Sequence, residues 1–420
     1  MPYAQNNIAL TGNGRLLVNV FTENIGTPVE NANIRISLAD NQANTVEEMV
    51  TDSSGQIDEL VLPTPPIEFS MKPDQPRPYS VYDIAVTMSG YTPVYVRGVQ
   101  IFPNTSAIQP IDLRPVTGTG TQPEIIPIKP PALLGSYPPK IPEEPVKMLP
   151  PSKGYVVLPD PVVPEYIIVH DGVPTNRSAK DYWIPFKDYI KNVASCEIYS
   201  NWPEETIRAN VLAILSFTLN RVYTEWYRSK GYSFTITSST AFDHAFTYGR
   251  NILQEISTIV DELFTTFITK PDIRQPLLTQ YCDGQKVQCP NWMTQWGSKK
   301  MGDQGNSAIN ILKKFYGNTI YLMQAKKVDG VPLSFPGTSL QAGSSGSNVR
   351  VIQEQLNTIS THYPAIPRLI EDGIYGINTV ASVEKFQDIF QLPSTGIVDF
   401  ATWYKLSQIY VAVTKMAEMQ

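Results

Sequence analysis

The chain has 420 residues, with 33 Lys and Arg against 39 Asp and Glu and a formal net charge of −6. This length allows two or three domains, each large enough for its own buried core. The acidic balance excludes the basic face that nucleic-acid binding requires, so no nucleic-acid partner is expected. No run of about 18 apolar residues occurs, so no membrane span is predicted. The first 20 residues lack the pattern of a secretory signal peptide.

Short strands are predicted in residues 1–114. Apolar and polar residues alternate in segments such as Arg15–Phe21, and Gly, Pro, Asn and Asp separate these segments. The pattern predicts an N-terminal antiparallel β-sandwich. The stretches Gly26–Ile34 and Thr51–Gly55 resemble carboxypeptidase regulatory-like (transthyretin-like) domains. That resemblance implies a fold but no catalytic activity, so we predict that this region is non-catalytic. One role that it could have is that of a pro-domain.

Residues 115–164 hold 14 of the 36 prolines. Because proline fixes φ and removes an N–H donor, this segment is predicted to be an extended, polyproline-like linker. An exposed linker of this kind is a site of proteolysis. The small residues Gly135-Ser136 and Ser152-Lys153-Gly154 are the predicted break points. A simple tether without processing is the alternative.

An acidic residue, Glu197, precedes a predicted buried helix in the central part of the chain. Pro203, Glu204 and Glu205 suit a helix start, because proline is tolerated in the first turn and acids favour the positive end of the dipole. The pattern predicts a core-facing helix to about Tyr227. Its apolar positions recur at spacings of mostly three or four residues: Ile207, Val211, Ile214, Leu215, Thr218 and Val222. Glu197 is expected at the rigid N-terminal end of that helix.

The stretch Glu197–Ala209 resembles the signature of the SpoIID/LytB family of peptidoglycan-cleaving domains, an acid followed by Trp-Pro-x-Glu. The stretches Tyr232–Gly249 and Asn291–Gly297 are similar to later motifs of that family, although Trp292-Met293-Thr294 departs from its pattern. Helices are predicted over roughly Ile252–Phe267 and from Ala308 to Tyr316. The resemblance covers about residues 165–328 and implies an α+β catalytic domain with Glu197 as the catalytic acid. It also implies a substrate groove with the predicted contacts Tyr199, Trp202, Ser238, Ser239, Thr240, Gln295 and Trp296. For Ser238, Ser239 and Thr240 the alternative is an ordinary polar strand end.

Two helical stripes occur within residues 338–410. One consists of Val349, Ile352, Leu356 and Ile359, and the other of Val380, Val383, Phe386 and Phe390. The loop Asp372-Gly373-Ile374-Tyr375-Gly376 has the composition of a tight turn, which we favour over direct ligand contact. Together these features are very similar to the three-helix peptidoglycan-binding domain PG_binding_1. The resemblance implies peptidoglycan glycan strands as the partner.

The chemistry of glycan cleavage depends on how many carboxylates are available. Cleavage of a β-1,4 glycosidic bond usually takes two, but Glu197 is the single well-placed candidate. One acid suffices in a lytic transglycosylase, where the muramic-acid 6-hydroxyl is the nucleophile. The apolar neighbours Val193, Ala194 and Ile198 are expected to raise the pKa of Glu197 by desolvation. The alternative is an ordinary capping or ion-paired acid.

No metal site or cofactor is predicted. His170, His244 and His362 lie in separate segments, and Cys196 is interpreted as a small core residue. Cys282 and Cys289 are seven residues apart, and the pattern leaves open a disulfide, part of a zinc site or two reduced thiols.

The predicted order of the four segments resembles the spore cortex-lytic enzymes of the SleC type. The resemblance implies a location in the spore cortex or cell wall, a role in germination, and a pro-form activated by a subtilisin-like protease. Two alternatives stay open. One is a non-catalytic peptidoglycan-binding wall or spore-coat protein, and the other is an N-acetylmuramidase that works by hydrolysis.

Overall fold

A computed structural model describes residues 9–22, 26–39, 41–116, 122–149 and 160–414, with the backbone alone described for 41–44. A sheet-rich N-terminal region is followed by a mixed central region and a helical C-terminal region. The predicted multidomain arrangement agrees with this order of a sheet-rich, a mixed and a helical region. The exact domain boundaries stay predictions.

Two five-stranded sheets share the buried core of the N-terminal region. Their strands from this region are β1 (Gly12–Thr22), β2 (Thr27–Pro28), β3 (Asn33–Leu38), β4 (Asn41–Val50), β5 (Leu60–Thr64), β6 (Ser80–Thr87), β7 (Val94–Ile101), β8 (Ser106–Asp112) and β9 (Glu124–Pro127). A short 3₁₀ helix spans Ile67–Ser70. In one sheet β1 lies between β8 and β2 and also pairs with β5, and the other sheet has the order β4-β3-β6-β7-β9.

The prediction of a purely antiparallel sandwich is wrong in one respect. Each sheet contains a parallel pair, β1 with β8 and β7 with β9. Parallel partners need a crossover rather than a hairpin. The chain between β1 and β8 supplies one, because it builds most of the second sheet before it returns. Alternation along β1 buries Leu16, Val18 and Val20, as the period-two pattern predicts.

The proline-rich segment is not a free linker where the structure describes it. Strand β9 joins a sheet, and Ile128 and Leu133 are buried. Farther along, the Ile141 N–H donates to the Ala241 carbonyl at 2.7 Å, and the Leu278 N–H donates to the Pro145 carbonyl at 2.8 Å. Residues 132–135 form a turn in which the Leu134 and Gly135 N–H groups both donate to the Pro131 carbonyl at 3.0 Å. Elsewhere the backbone groups of the segment are free to bond to the central region.

The predicted break points have different environments. Gly135 is half-buried and Ser136 is exposed. The positions Ser152-Lys153-Gly154 lie outside the described residues.

The central region combines five helices with short strands. Its elements are β10 (Val162–Val163), β11 (Tyr166–His170), β12 (Asp181–Pro185), α1 (Phe186–Glu197), α2 (Glu204–Tyr223), β13 (Ile236–Thr237), β14 (Ile252–Leu253), α3 (Gln254–Leu263), β15 (Thr266–Thr269), β16 (Tyr281–Cys282), β17 (Met293–Thr294), α4 (Gln295–Asp303), α5 (Ala308–Tyr316), β18 (Tyr321–Gln324) and β19 (Lys327–Val328). A further 3₁₀ turn spans Arg228–Lys230. Helix α2 is buried along most of its length and packs against α3, α4, α5 and β15.

Three boundaries differ from the sequence predictions. Glu197 ends a helix of its own, α1, which the sequence did not reveal. Helix α2 ends at Tyr223 rather than near Tyr227. The helix predicted to continue to Phe267 ends at Leu263, because Thr266–Thr269 pairs with β18 and tertiary pairing overrides local helix preference.

The N-terminal and central regions are joined through a sheet. Strand β14 pairs antiparallel with β8, so a central-region strand forms the edge of an N-terminal sheet. Beside it the Gln100 N–H donates to Asn251 Oδ1 at 3.1 Å, and Asn251 Nδ2 returns a bond to the Gln100 carbonyl at 2.9 Å. These contacts fix the two regions together next to α1.

Three helices form the C-terminal region: α6 (Ser347–Ile359), α7 (Ile377–Ile389) and α8 (Phe400–Thr414). All four residues of the first predicted stripe are buried. In the loop before α7, Asp372 Oδ1 accepts from the Ile374 N–H at 2.9 Å, and Gly373 has a φ of +73°. This geometry agrees with a tight turn. Within the described ranges, no helix combines the length and apolar character needed to cross a membrane.

Candidate functional site

Glu197 is a buried carboxylate with defined partners on both oxygens. It is 4% exposed at the last position of α1. Its Oε1 accepts from the Ala245 N–H at 2.8 Å, and its Oε2 accepts from Gln295 Nε2 at 3.0 Å. Gln295 Nε2 also lies 3.0 Å from the Glu197 carbonyl. Helix α1 carries Glu197 and helix α4 carries Gln295. The orientation of the Glu197 carboxyl therefore depends on how these two helices pack.

Burial raises the pKa of Glu197 above its ordinary value, although Lys140 and the two hydrogen bonds act in the opposite direction. The direction agrees with the sequence expectation of desolvation. A carboxyl with a raised pKa holds its proton closer to neutral pH, as a general acid must.

Lys140 is the positively charged residue that lowers the pKa of Glu197. Its ammonium is buried and donates to the Asp243 carbonyl. Burial lowers the pKa of Lys140 to about 8, with the nearby Glu197 and Asp243 charges partly offsetting that cost. The proline-rich stretch Pro138-Pro139-Lys140 gave no signal of this role in the sequence.

A small cavity of about 50 Å³ adjoins Glu197. The central region contributes Thr240, Tyr281 and Gln295, whereas the proline-rich segment contributes Ala132, Gly135, Tyr137, Pro138 and Lys140. We call residues 130–149 the covering segment, because its part from Ala132 to Lys140 supplies this wall of the cavity. The Ala132 N–H donates to the carbonyl of Cys196, immediately before Glu197, at 2.8 Å. With this segment in place the cavity is too small for a sugar ring.

Charged groups fix the covering segment to the central region. Arg221, fully buried on α2, donates to Glu143 at 2.6 and 3.0 Å and to Asp243 Oδ1 at 2.7 Å. Lys147 Nζ lies 2.7 Å from the same Glu143. Burial opposes ionisation of Glu143, but the Arg221 and Lys147 partners lower its pKa overall. The segment is therefore held by paired buried charges as well as by backbone bonds.

Gln280 and Gln275 extend this attachment. The Glu143 N–H donates to Gln280 Oε1 at 2.8 Å, and Gln280 Nε2 donates to the Ile141 carbonyl at 2.7 Å. Gln275 makes the same reciprocal pair with the backbone of Lys147, at 2.9 Å in both directions. Each amide side chain thus pairs with a backbone N–H and a backbone carbonyl of the covering segment, as a neighbouring β-strand would.

The predicted aromatic contacts lie elsewhere. Tyr199, Trp202 and Trp296 form a mutually packed buried cluster, with Trp202 and Trp296 ring centroids 5.0 Å apart. Trp202 Nε1 donates to the carbonyl of Ser70, and Tyr199 contacts the Phe102 ring. Trp202 and Tyr199 thus pack against the N-terminal region. Substrate contact by Tyr199, Trp202 and Trp296 stays a prediction. The sequence pattern gives aromatic positions but not what covers them.

Two of the predicted polar contacts meet Glu197. Gln295 bonds to it directly, and Thr240 lines the cavity. Ser238 donates to Asp171 at 2.8 Å, and the Ser239 N–H lies 3.4 Å from Thr237 Oγ1. Ser238 and Ser239 therefore have the local bonds of a polar strand end. Substrate contact by Ser238, Ser239, Thr240 and Gln295 stays a prediction.

Tyr281 is a further residue at the site. It is buried, lines the cavity, and has its pKa raised by burial and by the Glu197 carboxylate. Beside it lies His244, whose Nδ1 is 3.0 Å from the Tyr189 hydroxyl and whose pKa burial lowers well below its usual range. The sequence pattern offered no signal for Tyr281 beyond its place next to Cys282.

Cys282 and Cys289 form a disulfide with a Cα–Cα distance of 6.0 Å, one of the three states that the sequence left open. Cys282 borders the Glu197 cavity, so the bridge braces one of its walls. Cys196 is a free buried thiol. Among the described residues, no group of three or more His, Cys, Asp or Glu is arranged to hold a metal ion.

A second acid borders the cavity but is engaged in its loop. Asp283 accepts from the Lys286 N–H at 2.9 Å and from the Val287 N–H at 2.8 Å. These two bonds indicate that Asp283 stabilises its own turn. Glu197, in contrast, is held by Ala245 and Gln295 from other parts of the chain, and its pKa is raised.

Three comparisons place parts of this chain beside known proteins. Residues 345–406 match the family PG_binding_1, described as "Putative peptidoglycan binding domain". The SleB N-terminal domain aligns with 27% identity over 18% of this chain and 99% of that chain, with a TM-score of 0.16. The minor pilin GBS52 of Streptococcus agalactiae aligns with 14% identity over 26% of this chain and 48% of that chain, with a TM-score of 0.18.

A further alignment, to the 5-hydroxyisourate hydrolase of Klebsiella pneumoniae, has 15% identity over 27% of this chain and all of that one, with a TM-score of 0.16. TM-scores at this level define no shared fold. A comparison with curated protein sequences gave no match. The family match agrees with the residues that predicted the C-terminal domain. The chain therefore carries a peptidoglycan-binding domain in its C-terminal region, and its role is related to the cell wall.

Proposed function

We propose that this chain binds peptidoglycan through its C-terminal domain and cleaves the glycan strands with Glu197 as the acid. The observation that carries the proposal is the buried Glu197 carboxyl, positioned by Ala245 and Gln295 and raised in pKa by burial. The SpoIID-like motifs in the sequence point to the same residue. A spore cortex or cell-wall substrate, acted on during germination, is part of this proposal.

A lytic transglycosylase mechanism fits a single reactive carboxyl. Protonated Glu197 would donate to the leaving glycosidic oxygen and then accept the proton of the muramic-acid 6-hydroxyl as that oxygen attacks the anomeric carbon. The products would be a free 4-hydroxyl and a 1,6-anhydro ring, so no water is consumed. Gln295 would hold the carboxyl in position through both steps.

Digestion of cortex sacculi, followed by mass spectrometry, tests this mechanism. We expect 1,6-anhydromuramic ends. Ordinary reducing ends would instead assign an N-acetylmuramidase, and no release under any activating condition would remove the enzyme proposal. The assay uses the chain after limited proteolysis as well as intact, because the covering segment borders Glu197.

A non-catalytic wall or spore-coat protein is the second candidate. The observation that favours it is the narrow, covered cavity beside Glu197, which excludes a glycan in this conformation. The two functions differ in one simple experiment. A binding protein only sediments with sacculi, whereas an enzyme also lowers the turbidity of the suspension.

We further propose that the form described here is a pro-form, with the covering segment as the inhibitory element and a subtilisin-like protease as the activator. Its support is that the part of this segment from Ala132 to Lys140 supplies one wall of the cavity. Removing residues 1–150 is expected to raise sacculus cleavage well above that of the intact chain at equal concentration. Circular dichroism checks that the shortened chain is folded. Equal activity of two folded proteins would assign the N-terminal region to anchoring.

A further inference from the structure

A cleft of about 440 Å³ lies where the N-terminal, central and C-terminal regions meet. Glu197 does not line it. Each region supplies a wall, represented by Asn19 and Gln56, by Trp183 and Tyr248, and by Tyr363 and Gln391. Clefts at domain interfaces are the usual places for ligands.

Aromatic rings form the central wall of this cleft. Tyr182 and Tyr248 stack with centroids 4.3 Å apart and an interplanar angle of 11°. Trp183, the next residue on β12, is 67% exposed. Because successive residues of a strand point to opposite faces, Trp183 does not continue the Tyr182–Tyr248 stack but borders the cleft, where its indole presents a large apolar face to water. The flat CH face of a pyranose ring matches such a surface.

Amide side chains hold the floor of the cleft. Asn19 Nδ2 donates to Gln391 Oε1 at 3.0 Å, and Gln56 Nε2 donates to the Ile389 carbonyl at 2.7 Å. Gln254 Nε2 bonds to the Gln391 carbonyl at 2.7 Å. These contacts keep the N-terminal and central regions against the C-terminal domain. They also place amides, which pair with hydroxyl and acetamido groups, beside the aromatic wall.

Arg250 adds an unsatisfied donor. It lines the cleft and is 1% exposed. Its Nε donates to the Asn251 carbonyl and its Nη2 to Gln100 Oε1, both at 3.1 Å, but Nη1 has no hydrogen-bond partner among the described residues. An unmet buried donor is costly. Because Nη1 is fully covered, a ligand acceptor would remove that cost only after a shift of the Arg250 side chain toward the cleft.

We propose that this three-walled cleft binds a segment of peptidoglycan glycan, an oligosaccharide of N-acetylated amino sugars, separately from the Glu197 site. The occupant follows from continuity, because Tyr363, Phe390 and Gln391 belong to the matched peptidoglycan-binding domain. Residues of that domain and Trp183 border the same cleft, so one glycan strand would contact both. The cleft then gives the wall-binding domain a second contact with the same strand.

Fluorine NMR of the full chain tests the proposal. Tryptophan is replaced by 5-fluorotryptophan, and the Trp183 signal is assigned by its loss in Trp183→Phe. The background carries Glu197→Gln, so that the probe, a peptide-free tetrasaccharide of alternating N-acetylglucosamine and N-acetylmuramic acid, is not consumed. We expect the Trp183 signal to shift with the probe. We also expect Trp183→Ala to weaken binding roughly three- to tenfold, as loss of an aromatic contact does.

Tyr321→Ala is the matched control, because Tyr321 is an aromatic residue that is 41% exposed and does not line the cleft. It should bind the tetrasaccharide as the parent does. Binding that leaves the Trp183 signal unmoved, equal affinity of Trp183→Ala and the parent, or absence of binding would each overturn the proposal. The cleft proposal rests on the proposed binding of peptidoglycan, but sacculus digestion measures cleavage at Glu197, so a failure at Trp183 leaves the cleavage assignment unchanged.

Discussion

The C-terminal domain and the Glu197 site differ in how they meet solvent. Around the Asp372 turn of the C-terminal domain, Ile370, Ile374 and Ile377 are exposed. Glu197, in contrast, is buried beside residues of the covering segment. Under the proposed function, the C-terminal domain is thus open to solvent in a conformation that keeps the candidate catalytic acid covered. Binding and cleavage should therefore be separable by mutation.

The largest effect is expected from Glu197→Gln in the activated chain. The amide keeps the shape of the side chain but has no acidic proton, so sacculus cleavage should fall by roughly 10²- to 10⁴-fold. Sedimentation with sacculi should not change, because the C-terminal domain is untouched. Glu204→Gln is the matched control, since Glu204 is an exposed acid at the start of α2. Full activity of Glu197→Gln would withdraw the catalytic assignment.

Glu143→Ala should open the covered site. The change leaves buried Arg221 without one of its two carboxylate partners, and breaking a buried pair costs about 3–5 kcal/mol. We expect the covering segment to become sensitive to proteases and sacculus cleavage to rise without proteolysis. Glu204→Ala, which breaks the exposed pair with Arg208, should do neither. A segment as resistant as in the parent would show that the backbone bonds suffice.

Reduction of the Cys282–Cys289 bridge should have a smaller effect. The bridge closes a loop with a sequence separation of only seven, so its loss should cost roughly 2–3 kcal/mol of unfolding free energy. The double variant Cys282→Ser/Cys289→Ser should show this loss in denaturant unfolding. Because Cys282 borders the cavity, cleavage by the activated chain should fall more than wall binding. An equal loss of cleavage and of wall binding would indicate that the bridge contributes only to the overall stability of the chain.

The smallest and most gradual effect concerns pH. The pKa of Glu143 is lowered in the folded chain, so its contribution is present above the unfolded value of about 4.3 and is lost as pH falls through the folded pKa. Hydrogen exchange at the Ile141 amide, which bonds to Ala241, should therefore speed up in acid relative to that at Leu356 in the interior of α6. The Glu143→Gln variant should lack this dependence. An unchanged pH profile in that variant would assign the effect to other groups.

The sequence alone predicted the parts whose signal is local. Helical spacing identified α6, whose stripe is fully buried, and α7, in whose stripe Val380 is only half-buried and Phe390 follows the last helical residue. The family match confirms the domain that they form. The long apolar run before Tyr223 and the Trp-Pro-Glu start predicted α2. The catalytic role of Glu197, which the SpoIID/LytB resemblance implies, stays a prediction. These predictions succeed because periodic burial and helix starts depend on residues within a few turns of each other.

The tertiary structure alone decided what surrounds Glu197. Lys140 lies more than 50 residues before Glu197, and Glu143 lies more than 50 residues before Arg221, and nothing in the sequence links the members of either pair. The parallel strand pairs and the burial of Tyr199 and Trp202 likewise depend on segments that are distant in the chain. Proline composition predicts an extended chain, because φ restriction is a local property. Whether such a chain is free or packed depends on residues elsewhere in the sequence, because its unpaired backbone groups can bond to any complementary donors and acceptors that the fold brings near.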